Sequence, residues 1–250
     1  MSRPLLYLVL GPADSGRGDL VFDLMSDGSN GDANKVLLRH TDDASTEAES
    51  HVPALDNAYV LDWIWEGEQL RAPRLDPGAG NGDDVIFLLA PGRDDPRPVI
   101  EALPEMLEHY DWELGRIICL IDCQLAAEHP KLRPWWDCCV HFADVVLLGK
   151  REDLSNKWIK DFEERYTREK RLPCLFALIK KGHVENPAFV LEPQPRRMSI
   201  YFEELIELDE DESYAEAEEG DAPAEERYFE RIPGTTRYRI PLPDIRECLD

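Results

Sequence analysis

The sequence is short of positive charge. It carries 28 Lys and Arg against 52 Asp and Glu, a formal net charge of −24 over 250 residues. Such a surface repels phosphate backbones and anionic lipid, so nucleic acid and membrane are excluded as main partners. No apolar run approaches the ~20 residues that a membrane span needs. Leu5–Leu10 is too short for a signal-peptide core and no small-residue cleavage site follows it, so a cytoplasmic location is expected. No cysteine precedes Cys119, and the six present (119, 123, 138, 139, 174, 248) show no disulfide spacing. Most sit in apolar runs, as reduced thiols do. His40, His51 and His109 lack partners at usable spacing, so neither a Ser/His/Asp nor a Cys/His nucleophile can be assembled from them. There is no internal repeat.

What is present is an ordinary apolar share of 43%, enough at this length for a full core. Fully apolar runs such as Val85–Leu89 and Val145–Leu148 are the mark of strands covered on both faces. They alternate with helical patterns: strands are expected at Leu5–Gly11, Lys35–Arg39, Asp84–Leu89, Arg116–Ile121, Asp144–Leu148 and Cys174–Leu178. Helices are expected at Gly16–Met25, Pro96–Tyr110, Gln124–Trp136, Asn156–Glu169 and Met198–Leu208. Tyr59–Trp65 and Gln69–Leu75 form an inserted hairpin at about 58–75. The economical architecture is a three-layer α/β fold with a mostly parallel central sheet.

The acidic residues are unevenly placed. Between Glu203 and Glu230 stand 14 Asp and Glu and a single Arg, a local charge of −13 in 28 residues. The expected organisation is therefore a body over 1–208, an acidic disordered linker over 209–226, and a strand or hairpin over 227–250 that folds back. Lys180-Lys181-Gly182-His183 and Arg196-Arg197 are the basic clusters able to hold that acid.

The first strand runs directly into Gly11-Pro12-Ala13-Asp14-Ser15-Gly16-Arg17-Gly18 and then a helix. This is the spacing of a phosphate loop, G-x-x-x-x-G-K-[ST], in its strand–loop–helix setting. In such a loop backbone N–H groups and a helix N-terminus hold phosphates, a Lys neutralises charge, and a hydroxyl ligates Mg²⁺. Here Arg17 stands for the Lys, Gly18 has no hydroxyl, and Asp14 adds negative charge to the cradle. Arg pairs with phosphate, but its planar fork does not reproduce a compact ammonium.

Three further segments follow in order. Asp84–Gly92 with Asp94-Asp95-Pro96-Arg97-Pro98-Val99 resembles the I-E-T-T-G-x-x-D-P-x-P-V segment of the CobW-type GTPases, a metallochaperone family related to the hydrogenase and urease accessory GTPases. Ile118–Asp122 resembles its next strand, and Phe142–Leu154 its A-D-x-V-x-L-N-K-x-D-L segment. Together they cover about residues 5–180. The resemblance implies a phosphate-loop NTPase-like fold and weakly held GTP or GDP. Gly11, Gly16, Arg17, Gly18, Gly92 and Lys150 would then be the nucleotide-binding positions, and Asp122 matches a family position. It also implies a protein partner or a homodimer formed across the nucleotide face.

The departures cut against catalysis. Leu89 replaces a carboxylate that organises magnesium and water, Gly149 replaces the guanine-reading Asn, and the following Asp is either Glu152 or Asp153. The family's Cys-x-Cys-Cys is missing. Efficient GTP hydrolysis and Mg²⁺ binding are therefore not expected, and a degraded, regulatory or interaction-only member is. The alternative is a true GTPase of metal-cofactor assembly working with an Arg-for-Lys loop.

Two other clusters have competing readings. Cys138-Cys139-Val140-His141, with His129, Cys119 and Cys123 near, offers zinc-type ligands, but buried packing thiols are favoured. Trp63/Trp65 and Trp135-Trp136 could present a binding face, with packing again favoured.

Overall fold

A computed structural model describes residues 3–28, 33–41, 50–73, 84–180, 183–193 and 226–249. The chain divides into two compact units, Met1–Arg197 with Leu242–Asp250, and Met198–Pro241.

The first unit is built on a nine-stranded sheet. In chain order the strands are β1 Leu5–Leu10, β2 Lys35–His40, β3 Ala58–Glu66, β4 Gln69–Arg71, β5 Val85–Leu89, β6 Glu113–Asp122, β7 Val145–Gly149, β8 Leu175–Lys180 and β9 His183–Val184. In space they run β4-β3-β2-β5-β1-β6-β7-β8-β9. From β3 to β8 all neighbours are parallel, and only β4 and β9 at the two edges are antiparallel. The expected hairpin is formed by β3 and β4, and through β3 it joins the sheet beside β2.

Apolar residues on both faces make these strands central. Tyr7, Val9, Phe87, Leu89, Ile118, Leu120, Val145 and Leu147 join one core with Leu20, Val21 and Leu24 of helix α1 (Arg17–Asp27) and Val190 and Leu191 of helix α6 (Pro187–Leu191). The alternate residues Leu6, Leu8, Ile86, Leu88, Ile121 and Leu148 are buried as well, as period-two side chains on the opposite face must be in a three-layer fold. Helix α6 is tied down by polar groups: Tyr7 donates its hydroxyl to Leu191 O at 2.5 Å, and the buried Arg116 donates to Phe189 O at 2.7 Å. Burial pushes the Tyr7 hydroxyl up to about 12, so it remains a donor.

The remaining helices are α2 Arg97–Tyr110, α3 Cys123–Glu128, α4 Arg133–Phe142 and α5 Asn156–Glu164. The single helix expected at Gln124–Trp136 is two helices. Pro130 opens a 3₁₀ turn at Pro130–Leu132, and Pro134 sits in the first turn of α4, where a missing N–H costs no hydrogen bond. Likewise α5 stops at Glu164 and passes into a π-helical turn, Arg165–Glu169. Trp63, Trp135 and Trp136 are fully buried, so packing wins over an exposed tryptophan face.

In the second unit, Arg231 bridges antiparallel to Tyr238 around a turn with Gly234 at φ +77°. Arg239 N donates to Glu230 O at 2.7 Å and its guanidinium pairs with the Glu230 carboxylate at 2.6 Å. The helix expected at Met198–Leu208 and nearly all of the acidic stretch lie outside the described residues. Ile245–Cys248, back in the first unit, is a 3₁₀ turn capped by Asp244.

Candidate nucleotide site

The strand order reverses about β1: β2 and β5 lie to one side and β6 to β8 to the other. Ligands of open α/β sheets bind beyond the carboxyl ends of the strands at such a point. The loop that follows β1 stands there.

Two glycines make that loop possible. Gly11 has φ +144°, and a Cβ there would come within 2.7 Å of Leu120 O. Gly16 has φ +93° and forms the left-handed N-cap of α1. Between them Ala13–Ser15 make a 3₁₀ turn, in which Ser15 donates both its N–H and its hydroxyl to Pro12 O, at 3.2 and 2.7 Å. Ala13 N donates to Gly92 O at 3.0 Å. Two amides of the cradle are thus already bound to carbonyls.

Gly92, in the turn after β5, is pressed so closely on the loop that a Cβ would collide with Ala13 N and Arg17 Nη2. Arg17 itself is buried and donates through Nη1 to Ala90 O. Gly18 is buried within α1. Arg17 and Gly92 therefore come together under the loop, at the end of β5.

Gly16 and Lys150 come together elsewhere. They line a pocket of about 210 Å³ with Ser15, Asp19, Leu120, Gly149, Glu152 and Ile179. Lys150 follows β7 in the left-handed region, φ +44°, a strained position for a residue with a side chain. From there its ammonium reaches Asp14 O at 2.5 Å and Asp122 Oδ2 at 2.9 Å. Asp122 also caps α3 by accepting from Leu125 N at 2.9 Å. One ammonium thus ties the β7 loop to the phosphate loop and to the end of β6.

Of the two acids that follow, Glu152 lines the pocket. Asp153 is exposed, turns through φ +68° and is not among the lining residues. Asp14, the acid within the cradle, is paired with Arg93 at 2.9 Å.

Sequence reasoning missed three features of this region. Asp19 and Ile179 line the pocket without belonging to any motif. At the far end of α1, the buried Asp23 accepts from Val184 N at 2.7 Å and lies 2.6 Å from His183 Nδ1. The hydrogen bond and charge of Asp23 raise the His183 imidazole above its ordinary value. An Asp one turn before the end of an apolar helix was the only signal of it.

The cysteine cluster lies on α4 and β6. Cys119, Cys138 and Cys139 are fully buried, and burial followed by the neighbouring Cys119 thiol holds Cys139 well above the usual range. Burial and the Asp122 charge push Cys123 up to about 12. Among the described residues, no group of three His, Cys, Asp or Glu converges as metal ligands. No described helix is long and apolar enough to cross a membrane.

The strand–loop–helix at β1, the parallel sheet and the reversal of order define the architecture. It is a phosphate-loop NTPase-like α/β fold.

No protein-family model matches the chain, and no curated protein matches it in sequence. Among solved structures it is similar to the Zn(II)-bound YjiA GTPase from E. coli, with 16% identity and a TM-score of 0.45 over 78% of this chain and 67% of that one. A Zn(II)-bound triple mutant of the YjiA GTPase has 18% identity and a TM-score of 0.45, over 81% of this chain and 69% of its own.

Proposed function

We propose that this chain is a CobW-like GTPase-fold protein that holds guanine nucleotide weakly, hydrolyses it poorly if at all, and acts as an interaction or regulatory module. The observation that carries the reading is the Arg17 side chain. Its guanidinium is buried on Ala90 O beside Gly92, in the space between the two loops where a phosphate-loop cation is needed. Phosphoryl transfer depends almost wholly on positioning and charge neutralisation. A guanidinium fastened to Ala90 O beneath the loop keeps its charge but is not free to follow a transferred phosphoryl group. The positions that would hold Mg²⁺ carry Gly18 and the buried Leu89, neither of which has a ligand atom. Together these losses are worth several kcal/mol of transition-state stabilisation.

The 210 Å³ pocket is also smaller than the ~300–1,000 Å³ of ordinary small-molecule sites. It suits the base end of a nucleotide rather than the whole molecule. A cytoplasmic protein partner, or a second copy docked across this face, completes the reading.

A second reading is a GTPase of metal-cofactor assembly that uses Arg17 in place of Lys. It draws on Lys150 and Glu152, which flank the pocket as a base-reading pair would. Calorimetric titration with GTP, GDP and ATP, with and without Mg²⁺, separates the two. Binding tighter than about 10 μM that weakens in Arg17→Ala favours the GTPase. Millimolar binding that is indifferent to Mg²⁺ supports the module. No heat with any nucleotide overturns both.

A further inference from the structure

Among the described residues three cations meet the loop after β1, and they are not held alike. Arg17 is buried and fastened to Ala90 O. Lys150 bonds Asp14 O, and its charge is matched by the mostly buried Asp122. Arg93 is held more loosely. It follows Gly92, the residue pressed against Ala13, and its guanidinium crosses to the loop, where Nη2 meets Asp14 Oδ2 at 2.9 Å. Both side chains of this pair are open to water, Arg93 44% and Asp14 62% exposed. The nearby Asp95 does not compete for Arg93, because Arg97 grips its carboxylate at 2.9 and 2.5 Å.

The pocket that holds Gly16 and Lys150 lies on the β6–β7 side of β1, whereas Arg93 stands beyond β5, on the opposite side. A nucleotide with its base in that pocket runs its phosphates along the loop toward β5, so its outermost phosphate is the one that comes to Arg93. The Asp14 carboxylate is then a rival for the same guanidinium. An exposed ion pair adds little to stability, so giving this one up costs the fold little. A phosphate offers a guanidinium the same two-pronged match as a carboxylate and carries more charge. The displaced Asp14 leaves a negative charge beside the phosphates, which opposes them in turn.

We propose that Arg93 recognises the terminal phosphate of a nucleoside triphosphate and that Asp14 is a built-in competitor for it, an assignment that rests on the guanine-nucleotide reading of the site. The pair sets two properties at once. Asp14 keeps binding weak, and Arg93 favours a triphosphate over a diphosphate, whose shorter chain stops before the β5 turn.

The test is calorimetric titration of the full-length protein with GTP, GDP and inorganic triphosphate, without Mg²⁺, in the native form, Asp14→Asn, Arg93→Gln and the double variant. Both residues are exposed, and thermal melts check that each variant is folded. Asp14→Asn should bind GTP and inorganic triphosphate about tenfold more tightly, the effect of one regained hydrogen bond between charged groups, and GDP by less. Adding Arg93→Gln should remove that gain for GTP and leave GDP little changed. No gain in Asp14→Asn, or a loss from Arg93→Gln that is equal for GTP and GDP, overturns the assignment, and millimolar GTP binding by the native protein would still support the guanine-nucleotide reading. Arg93-dependent binding of inorganic triphosphate with no heat from GTP or GDP in any form would do the reverse, keeping the phosphate contact and removing that reading. No heat with any of the three in any form overturns both.

Discussion

Trp63 of β3 donates its indole N–H to Leu89 O, the last carbonyl of β5, at 3.1 Å. One side chain thereby reaches past β2 and anchors the outer strands to the strand that leads into Gly92. Trp63→Phe keeps most of the packing but leaves a buried carbonyl unpaired, and should lower unfolding free energy by about 1–3 kcal/mol. Trp63→Ala adds a cavity and should cost about 3–5 kcal/mol. Urea denaturation of the two variants checks the order and the gap.

The contact between Gly92 and Ala13 N sets a second expectation. In Gly92→Ala the new methyl group must push the β5 turn off the phosphate loop, breaking the Ala13 N–Gly92 O bond and displacing Arg17. The expected loss is about 1–3 kcal/mol, as for overpacking elsewhere. Faster amide exchange at Ala13 would report the broken bond directly, and unchanged exchange would contradict it.

Restoring the loop chemistry gives a gain-of-function test. Arg17→Lys with Gly18→Ser supplies a compact ammonium and a hydroxyl ligand, the two groups a phosphate loop uses. The double variant should bind GTP about tenfold more tightly in the presence of Mg²⁺ than in its absence, a difference of 1.4 kcal/mol. Turnover should stay slow, because Leu89 still offers no carboxylate. Calorimetry and a phosphate-release assay read the two outcomes separately.

The link between His183 and Asp23 should make the β9 edge sensitive to pH. The imidazole is raised above its ordinary 6.5 in the folded protein by its bond to Asp23. A group raised on folding contributes fully below its unfolded value, and that contribution disappears as pH rises through the folded value. The melting-temperature gap between the native protein and His183→Ala should thus be widest at about pH 6 and close toward pH 9. In Asp23→Asn the His183 ring proton titration, followed by NMR, should return to the ordinary range. A gap that is constant with pH would contradict the argument.

Much of this fold was legible because its strands are apolar on both faces. Val85–Leu89 and Val145–Leu148 can be little else than interior strands, and Gly11 to Gly18 marks the loop between β1 and α1. The break between α3 and α4 was hidden because Pro130 and Pro134 lie at first-turn positions, where proline starts a helix as readily as it stops one. Strand β9, with two residues, has no periodicity to detect. At the loop, glycine spacing marked the two positive-φ positions, Gly11 and Gly16. The Arg17 orientation was not visible, since it depends on Ala90 and Gly92, some 75 residues away in sequence. The place of Glu152 in the pocket wall was not visible either: it follows a left-handed turn at Lys150, which no residue pattern announces.

The burial of Trp63, Trp112, Trp135 and Trp136 has an optical consequence. Indoles withdrawn from water emit at shorter wavelength, so the native protein carries its own blue-shifted fluorescence, and unfolding moves that emission to the red. The signal is not confined to one place. Trp63 looks onto the end of β5, while Trp135 donates to Asp94 O at 3.3 Å in the segment just beyond Gly92. A rearrangement of that segment would change the light emitted from α4 before any strand came apart, giving the chain a built-in gauge of its loops without an added dye.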